Sequence, residues 1–329
     1  MGPNPDVRTA VLFEPWGLGD LAIALGAVQA LRSRGCKVAI VCHPDWVEWV
    51  LGSGLADWVV GFHAPWTDKT AKYQVDKYRA SDFFALRQHL KEIEPDVLCE
   101  LRGDVRNLLM LKSLGLCRVV TLVGGRFANR YERPPAILEK LAIDPALPVH
   151  PSPIRQPANR QDKWHIVAFF SAAWENRAVP AAMAQEVTSA ILRAGIRISV
   201  IIPDQGSLAS WYPLPLPGTE QANVIRGSVV DACRAISEAD ACLSTDSGFL
   251  HVAHLYGLPI FGLFGFATED EWAPPGCTII RPAKCFPAES RYAKAGEELN
   301  PLEGLDPELV ASTVLRGLHE YRASQHPSP

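Results

Sequence analysis

One short stretch of the chain, Ser244 to His251, brings an acid, hydroxyls, a glycine and a histidine together as STDSGFLH. The apolar run Ala241 to Leu243 leads into it. A short helix-like segment follows, with His251 near its start, and Pro259 opens a second apolar run, Ile260 to Gly265. The pattern reads as strand, tight loop, helix, strand, with the polar groups at the carboxyl end of the first strand. Open α/β sheets bind ligands at that position, and backbone N–H groups at a helix start favour phosphate oxygens. Gly248 lets the backbone approach a phosphate closely. Ser247 can donate its hydroxyl to a phosphate or a sugar, and His251 can donate to a diphosphate and stabilise a leaving group. Such a site suits a nucleotide diphosphate. The plainer reading makes Asp246 or Ser247 a helix cap and His251 structural; His254, about one turn further on, reads as packing.

A second cluster lies near the start of the chain. The run Ala10 to Glu14 reads as a strand, the loop PWGLG follows, and Asp20 opens an expected helix, Asp20 to Arg34, with Leu21, Leu25, Val28 and Leu31 on one face and Gly35 past its end. Position alone makes Asp20 an N-cap, a role typically worth about 1 kcal/mol. The same loop, GLGDLA from Gly17 to Ala22, matches G-x-G-x-x-[GA], with Asp45 past the second strand, which is the pattern of a dinucleotide-binding unit. Asp20 argues against NAD there, because its carboxylate would stand beside the pyrophosphate.

These clusters need elements to hold them. Short β-branched runs alternate with helical patterns: Val38 to Cys42, Asp57 to Phe62, Val97 to Leu101 and Val119 to Val123 read as strands, and Ser81 to Ile93 as a helix. This is the rhythm of a parallel sheet covered on both faces. Ile143 to Lys163, with five prolines, breaks it and reads as an interdomain linker. The rhythm resumes with a strand at His165 to Phe170, a helix at about Pro180 to Ala194, a strand at Ile196 to Ile202 and a helix at Val230 to Glu238; Trp211 to Gly218 reads as a loop and Asp306 to Tyr321 as a final helix. The expected organisation is an α/β first domain at 1–150, a Pro-rich linker at 151–163, a second domain at 164–305, and a C-terminal helix and tail at 306–329.

Length and composition agree. At 329 residues the chain suits two domains. A net charge of −4 gives no reason to expect nucleic acid or an anionic membrane surface as a partner. The eight cysteines include no CxxC pair, and several sit in apolar runs where a free thiol acts as a small hydrophobe. The start, MGPNPDVRT, shows neither a basic n-region nor an h-region. A cytoplasmic location is expected.

DSGFLH, Asp246 to His251, with the downstream LPIFGLFG resembles the signature of the heptosyltransferase-like glycosyltransferases, glycosyltransferase family 9. GDLAIALGAVQALR, Gly19 to Arg32, is similar to the family's G-D-x-x-x-x-x-P-x-x-x-x-L-R, with Gly26 in place of the Pro. ENRAVP, Glu175 to Pro180, is similar to the family's basic residue shortly before W-P, with Val179 in place of the Trp. The resemblance implies the GT-B architecture, two Rossmann-like doubly wound domains facing a cleft. It makes Asp20, behind Gly19, the general base toward an acceptor hydroxyl. It places Arg177, Asp246, Ser247, Gly248 and His251 at the donor's diphosphate and sugar, with Ser171 as the one hydroxyl in FSAAW, Phe170 to Trp174, where the family often has several. Asp246 would accept from donor-sugar hydroxyls or orient the loop. Arg177 would offer charge-assisted bonds; otherwise it is a solvated surface charge. Glu220 corresponds to a family Glu that binds the ribose.

The activity implied is inverting transfer of a heptose or related sugar from a nucleotide-diphosphate sugar to an acceptor hydroxyl. An ADP-sugar is the expected donor, and the Ala172–Ala173 departure bears on that identity. No D-x-D occurs in the chain, so a metal-free mechanism with no cofactor is expected. The acceptor is a glycan or small molecule, in the family often the lipopolysaccharide core. Arg102, Arg106, Arg126, Arg130 and Arg133, in or near predicted loops, are either contacts for its phosphates or carboxylates or ordinary solvated charges. The remaining expectations are peripheral contact with a membrane surface, no nucleic acid and a monomer. The alternatives are a nucleotide-sugar epimerase and a non-catalytic nucleotide-sugar-binding protein.

Overall fold

The computed structural model describes residues 7–67, 79–144, 163–172, 175–203, 222–292 and 300–325. The chain divides into two compact units, Met1–Ile154 and Arg155–Pro329. The linker expected at 151–163 lies outside the described residues except for Lys163, and Trp211 to Gly218 and Glu220 also lie outside them.

The first unit runs β1 (Thr9–Glu14), α1 (Leu18–Leu25), α2 (Val28–Ser33), β2 (Lys37–Cys42), α3 (Val47–Ser53), β3 (Trp58–Gly61), α4 (Ala80–Ile93), β4 (Val97–Glu100), α5 (Val105–Leu114), β5 (Arg118–Thr121) and α6 (Arg133–Lys140). Its five strands are all parallel, in the order β3-β2-β1-β4-β5. Parallel strands are covered on both faces and so read as continuous apolar runs; Ala10 to Phe13 and Val38 to Cys42 are accordingly buried without alternation. The single helix expected from Asp20 to Arg34 is two helices. The break falls at Gly26 and Ala27, whose N–H groups bond three residues back, to Ile23 and Ala24. Gly26 stands where the related pattern has Pro, and each residue disfavours a helix interior, one by entropy and the other by a missing donor. Gly35, expected just past the helix end, follows α2 at φ +77, in the left-handed region.

The second unit runs β6 (His165–Phe169), α7 (Ala181–Arg193), β7 (Arg197–Pro203), β8 (Asn223–Gly227), α8 (Val229–Glu238), β9 (Ala241–Thr245), α9 (Gly248–Leu255), β10 (Ile260–Leu263), α10 (Glu269–Trp272), β11 (Thr278–Ile280) and α11 (Pro307–Gln325). Its six strands are also parallel, in the order β11-β10-β9-β6-β7-β8. Counted within the unit this is 3-2-1-4-5-6, the classic doubly wound order. The edge strands β8 and β11 were not anticipated. Both are short and half exposed, so neither shows the buried apolar run that announces a central strand.

The C-terminal helix α11 packs on α7, and its Val310, Ala311, Val314 and Leu318 join the core of the second unit. Cysteines fill the strands: Cys42, Cys99 and Cys242 are fully buried, and burial pushes their thiols up to about 12. Among the described residues no helix is long and apolar enough to cross a membrane.

Gly317 shows how closely α11 sits. A Cβ built there would stand 2.6 Å from the ring of Phe261, which is itself fully buried and cannot swing away. Gly317→Ala is therefore expected to destabilise the protein by about 1–3 kcal/mol through overpacking, although alanine is the better helix former. Denaturant unfolding of the two proteins checks this; equal or higher stability for the variant would contradict the packing described.

Candidate functional site

Two clusters of polar side chains stand at corresponding places in the two sheets. In a doubly wound sheet the connections leave the two central strands in opposite directions, and a crevice opens between their carboxyl ends. In the first unit those strands are β1 and β4; in the second they are β6 and β9.

In the first unit β1 ends at Glu14 and β4 at Glu100. Asp20 follows β1 as the third residue of α1. The N-cap is Gly17, so the cap role expected for Asp20 is corrected: its carboxylate lies in the first turn and binds side chains instead. Arg102 Nη1 is 2.6 Å from Asp20 Oδ2, Arg130 Nη1 is 3.5 Å from Oδ1, and Arg133 Nη1 is 4.0 Å from Oδ1. The side chains of Asp20 and the three arginines are only 13–20% exposed, so these charges are poorly screened. Burial alone would raise the Asp20 carboxyl, but the guanidiniums of Arg102, Arg130 and Arg133 outweigh it and hold the group below its ordinary value. Arg133 is pulled down to about 10 by its own burial and by Arg130.

Each arginine is held by local structure. The Glu100 carboxylate, fully buried, accepts from the N–H groups of Arg102, Gly103 and Asp104, from Asn107 Nδ2 and from Thr121 Oγ1, at 2.9–3.2 Å. This gathers the loop after β4 into one conformation. Gly103 takes φ +79 there. The Arg102 guanidinium, so placed, lies 3.8 Å over the Trp16 ring, and the Trp16 carbonyl accepts from Trp46 Nε1 at 3.0 Å. Arg130 and Arg133 are set by a capping box in which the Asn129 side chain accepts from the Glu132 N–H and Glu132 Oε1 accepts from the Asn129 N–H, with the Tyr131 N–H also donating to Asn129 Oδ1, and by Pro in the first turn of α6. Of the five arginines singled out from the sequence, Arg102, Arg130 and Arg133 converge on Asp20. Arg106 pairs with Asp104, and Arg126 is exposed.

In the second unit the two central strands are tied together at their carboxyl ends. Thr245 Oγ1 donates to the Ser171 carbonyl, and the Val179 N–H donates to the Phe170 carbonyl at 2.8 Å. Arg177, in the 3₁₀ turn Glu175–Arg177, is thereby brought to Asp246. Its Nη2 lies 2.6 Å from Asp246 Oδ2 and 3.0 Å from the Asp246 carbonyl oxygen, and Thr268 Oγ1 donates to Oδ2 at 3.3 Å. Arg177, Asp246, Thr268 and Gly265 line one cavity with Leu263, Phe264, Phe266 and Leu302. Gly265 has no substitute there, since a Cβ would lie 2.4 Å from the Pro301 ring.

Ser247 is the N-cap of α9 by backbone position, but its hydroxyl meets Ser244 Oγ at 2.8 Å and caps no N–H. Neither Asp246 nor Ser247 is thus a side-chain cap, and Gly248 is the first helical residue. Ser171 is buried and its hydroxyl has no hydrogen-bond partner. His251, four residues into α9, is buried with its ring edge-on to Trp272 at 6.5 Å. His254 is half-buried one turn on. The residues missed from the sequence are Glu14, Glu100 and Thr268. An acid closing an apolar strand, as in VLFE and VLCE, was the available signal for the first two. Among the described residues no group of acids, histidines and cysteines is placed to hold a metal ion.

Residues 145–294 match the family model for glycosyltransferase family 9 (heptosyltransferase). A search of curated protein sequences finds no match. Among solved structures the chain is similar to a family 9 glycosyl transferase from Veillonella parvula DSM 2008, at 13% identity and TM-score 0.70, covering 96% of this chain and 98% of that one. It is similar to E. coli heptosyltransferase WaaC with ADP-2-deoxy-2-fluoro heptose, at 14% identity and TM-score 0.69 over 94% and 99% of the two chains. It is also similar to E. coli ADP-heptose lps heptosyltransferase II, at 13% identity and TM-score 0.63 over 96% and 100%. Two parallel α/β sheets of Rossmann type match the GT-B fold of these structures. Within the chain, the family 9 (heptosyltransferase) match covers residues 145–294, and the fold over nearly its whole length is that of solved heptosyltransferases.

The Glu100 arrangement predicts a stability effect. Glu100→Ala leaves five donors without their acceptor, each worth roughly 1–3 kcal/mol when buried, so a loss of at least about 3 kcal/mol is expected. Thermal or urea unfolding measures it; a loss below about 1 kcal/mol would mean that water replaces the carboxylate.

Proposed function

We propose that the enzyme is an inverting, metal-independent transferase that moves a heptose or related sugar from an ADP-sugar to a hydroxyl of an anionic glycan acceptor. The observation that carries this reading is Asp20 at the first unit's switch point, ringed by Arg102, Arg130 and Arg133. Three guanidiniums around one carboxylate leave a surplus of positive charge, which draws an acceptor bearing carboxylates or phosphates such as a lipopolysaccharide core. When those groups engage the arginines, Asp20 is relieved of part of their pull and its basicity rises toward the ordinary range. It then takes the proton of the acceptor hydroxyl, whose oxygen attacks the anomeric carbon as the bond to the diphosphate breaks. One displacement inverts the configuration and needs no nucleophilic carboxylate.

The departing diphosphate carries the developing charge. The N–H groups of the first turn of α9, from Gly248 onward, have no side-chain cap and face an anion favourably. Ser247 and Ser171 add hydroxyls, Arg177 adds a guanidinium, and His251 stands one turn into the same helix. Asp246 holds Arg177 in place and is the candidate partner for donor-sugar hydroxyls. The similar WaaC structure contains ADP, and the similar heptosyltransferase II is named for ADP-heptose, which supports an ADP-sugar donor. The NAD alternative has Asp20 standing in the first helical turn, where a pyrophosphate would have to lie.

Asp20→Asn is expected to lower transfer by on the order of a hundredfold or more, as for loss of a general base, while ADP affinity measured by calorimetry stays unchanged. Substantial turnover by that variant would remove Asp20 from the role. Transfer is also expected to persist in excess chelator, since Arg177 and the start of α9 supply the positive potential that a divalent cation gives elsewhere. Activity that vanishes with chelator and returns with magnesium would reverse this part of the reading.

A further inference from the structure

Glu14 closes β1, beside Asp20 and away from solvent. It is 2% exposed, and its Oε1 has no hydrogen-bond partner. It lines a cavity with Asp20, Arg133, Ile23, Ala24 and Leu101. The Nε of Arg133 is likewise buried and without a partner. A carboxyl oxygen and a guanidinium nitrogen are thus both left unmet at one cavity, next to the acid assigned above as base. Buried polar atoms are costly when unpaired, and in native structures a water, an ion or a ligand group meets them.

We propose that Glu14 is a specificity residue of the acceptor site: as a neutral carboxylic acid it donates its O–H, together with the Arg133 Nε–H, to an oxyanion of carboxylate or phosphate type on the acceptor. The inference rests on the reading of Asp20 as the acceptor-side base. It assigns the two neighbouring carboxyl groups opposite duties, Asp20 receiving a proton and Glu14 presenting one. An arginine N–H and a protonated carboxyl are both donors, so the group that satisfies the pair is an acceptor of hydrogen bonds, and a negative one is held best.

The surroundings keep Glu14 neutral. Burial raises its carboxyl most, the Asp20 charge on α1 raises it further, Arg102 after β4 lowers it, Glu100 on β4 raises it, and Arg133 on α6 lowers it; the balance is about 8. Glu14 carries its proton below pH about 8 and loses it above, so affinity for an oxyanion at this place is present at neutral pH and falls as the pH rises through about 8. Conversely, a bound oxyanion raises the midpoint.

Carbon-13 NMR of the full chain labelled at the Glu δ-carboxyl tests this, with Glu14→Gln used to assign the resonance. The probes are D-glucuronate and inorganic phosphate. Glu14 is expected to be protonated at pH 7, and its midpoint to rise by about one pH unit, equivalent to tenfold tighter binding to the protonated form, with glucuronate if the recognised group is a carboxylate or with phosphate if it is a phosphate. Thermal stabilisation by the effective probe should disappear between pH 7 and pH 9 in the wild type and persist at both in Glu14→Gln, which keeps an N–H donor. An ionised Glu14 at pH 7, or a midpoint that neither probe moves, overturns the proposal. Because no turnover is measured, these outcomes are independent of whether Asp20→Asn retains activity.

Discussion

A parallel sheet must be covered on both faces, and where its strand order reverses the covering helices part. That constraint operates twice in this chain, between β1 and β4 and between β6 and β9. At each place the strands end in residues that cannot remain in an apolar layer: Glu14 and Glu100 in one sheet, Ser171 and Asp246 just beyond the strand ends in the other. The sheet thus delivers polar groups to the one edge where they can meet a ligand. All else at the two sites is the protein's arrangement for keeping those groups in place.

The two clusters solve different electrostatic problems. In the second unit the pairing is one to one: Arg177 holds Asp246, and Thr268 completes the shell of the same carboxyl oxygen. The local charge is balanced, and the groups left for a ligand are the Ser171 hydroxyl and the backbone N–H groups at the start of α9. In the first unit cations exceed the paired anion, and the surplus is tolerable because Trp16 covers Arg102 and the Glu100 carboxylate fixes its loop. A balanced site beside a helix start suits a ligand already carrying its own charge along a backbone of phosphates. A cationic site around a single acid suits recognition of a second molecule by its anionic groups.

Much of this was legible in the sequence, and what was not has a physical reason. The Ser244 to His251 segment announced itself because a buried strand, a polar loop and a helix are consecutive there, so that local order alone places the groups. Asp20 could be set at a strand-to-helix turn for the same reason, although the residue that caps α1 is Gly17 and the helix stops at Gly26. The convergence of Arg102, Arg130 and Arg133 could not be seen, because it depends on β4 lying next to β1 and on the capping box at Asn129, neither of which is local to Asp20. The parts of Glu14 and Glu100 were hidden differently. Each ends an apolar run, where an acid ordinarily marks the exit to solvent, and only the strand order reveals that the exit is buried. The edge strands β8 and β11 lacked a signal because only part of each is covered.

The cysteines carry a consequence of another kind. Burial raises the thiols of Cys42, Cys99, Cys242 and Cys277 to about 12, and Cys233 well above its ordinary value. A thiol attacks an electrophile or a disulfide as its thiolate, so at neutral pH these five groups are almost wholly in the unreactive form. They serve as small packing units between sheet and helix, chemically silent toward alkylating reagents and mild oxidants while the fold is intact. Once the chain opens the same groups return to ordinary acidity, so the rate at which a thiol reagent consumes them becomes a clock for unfolding, recorded from inside both sheets.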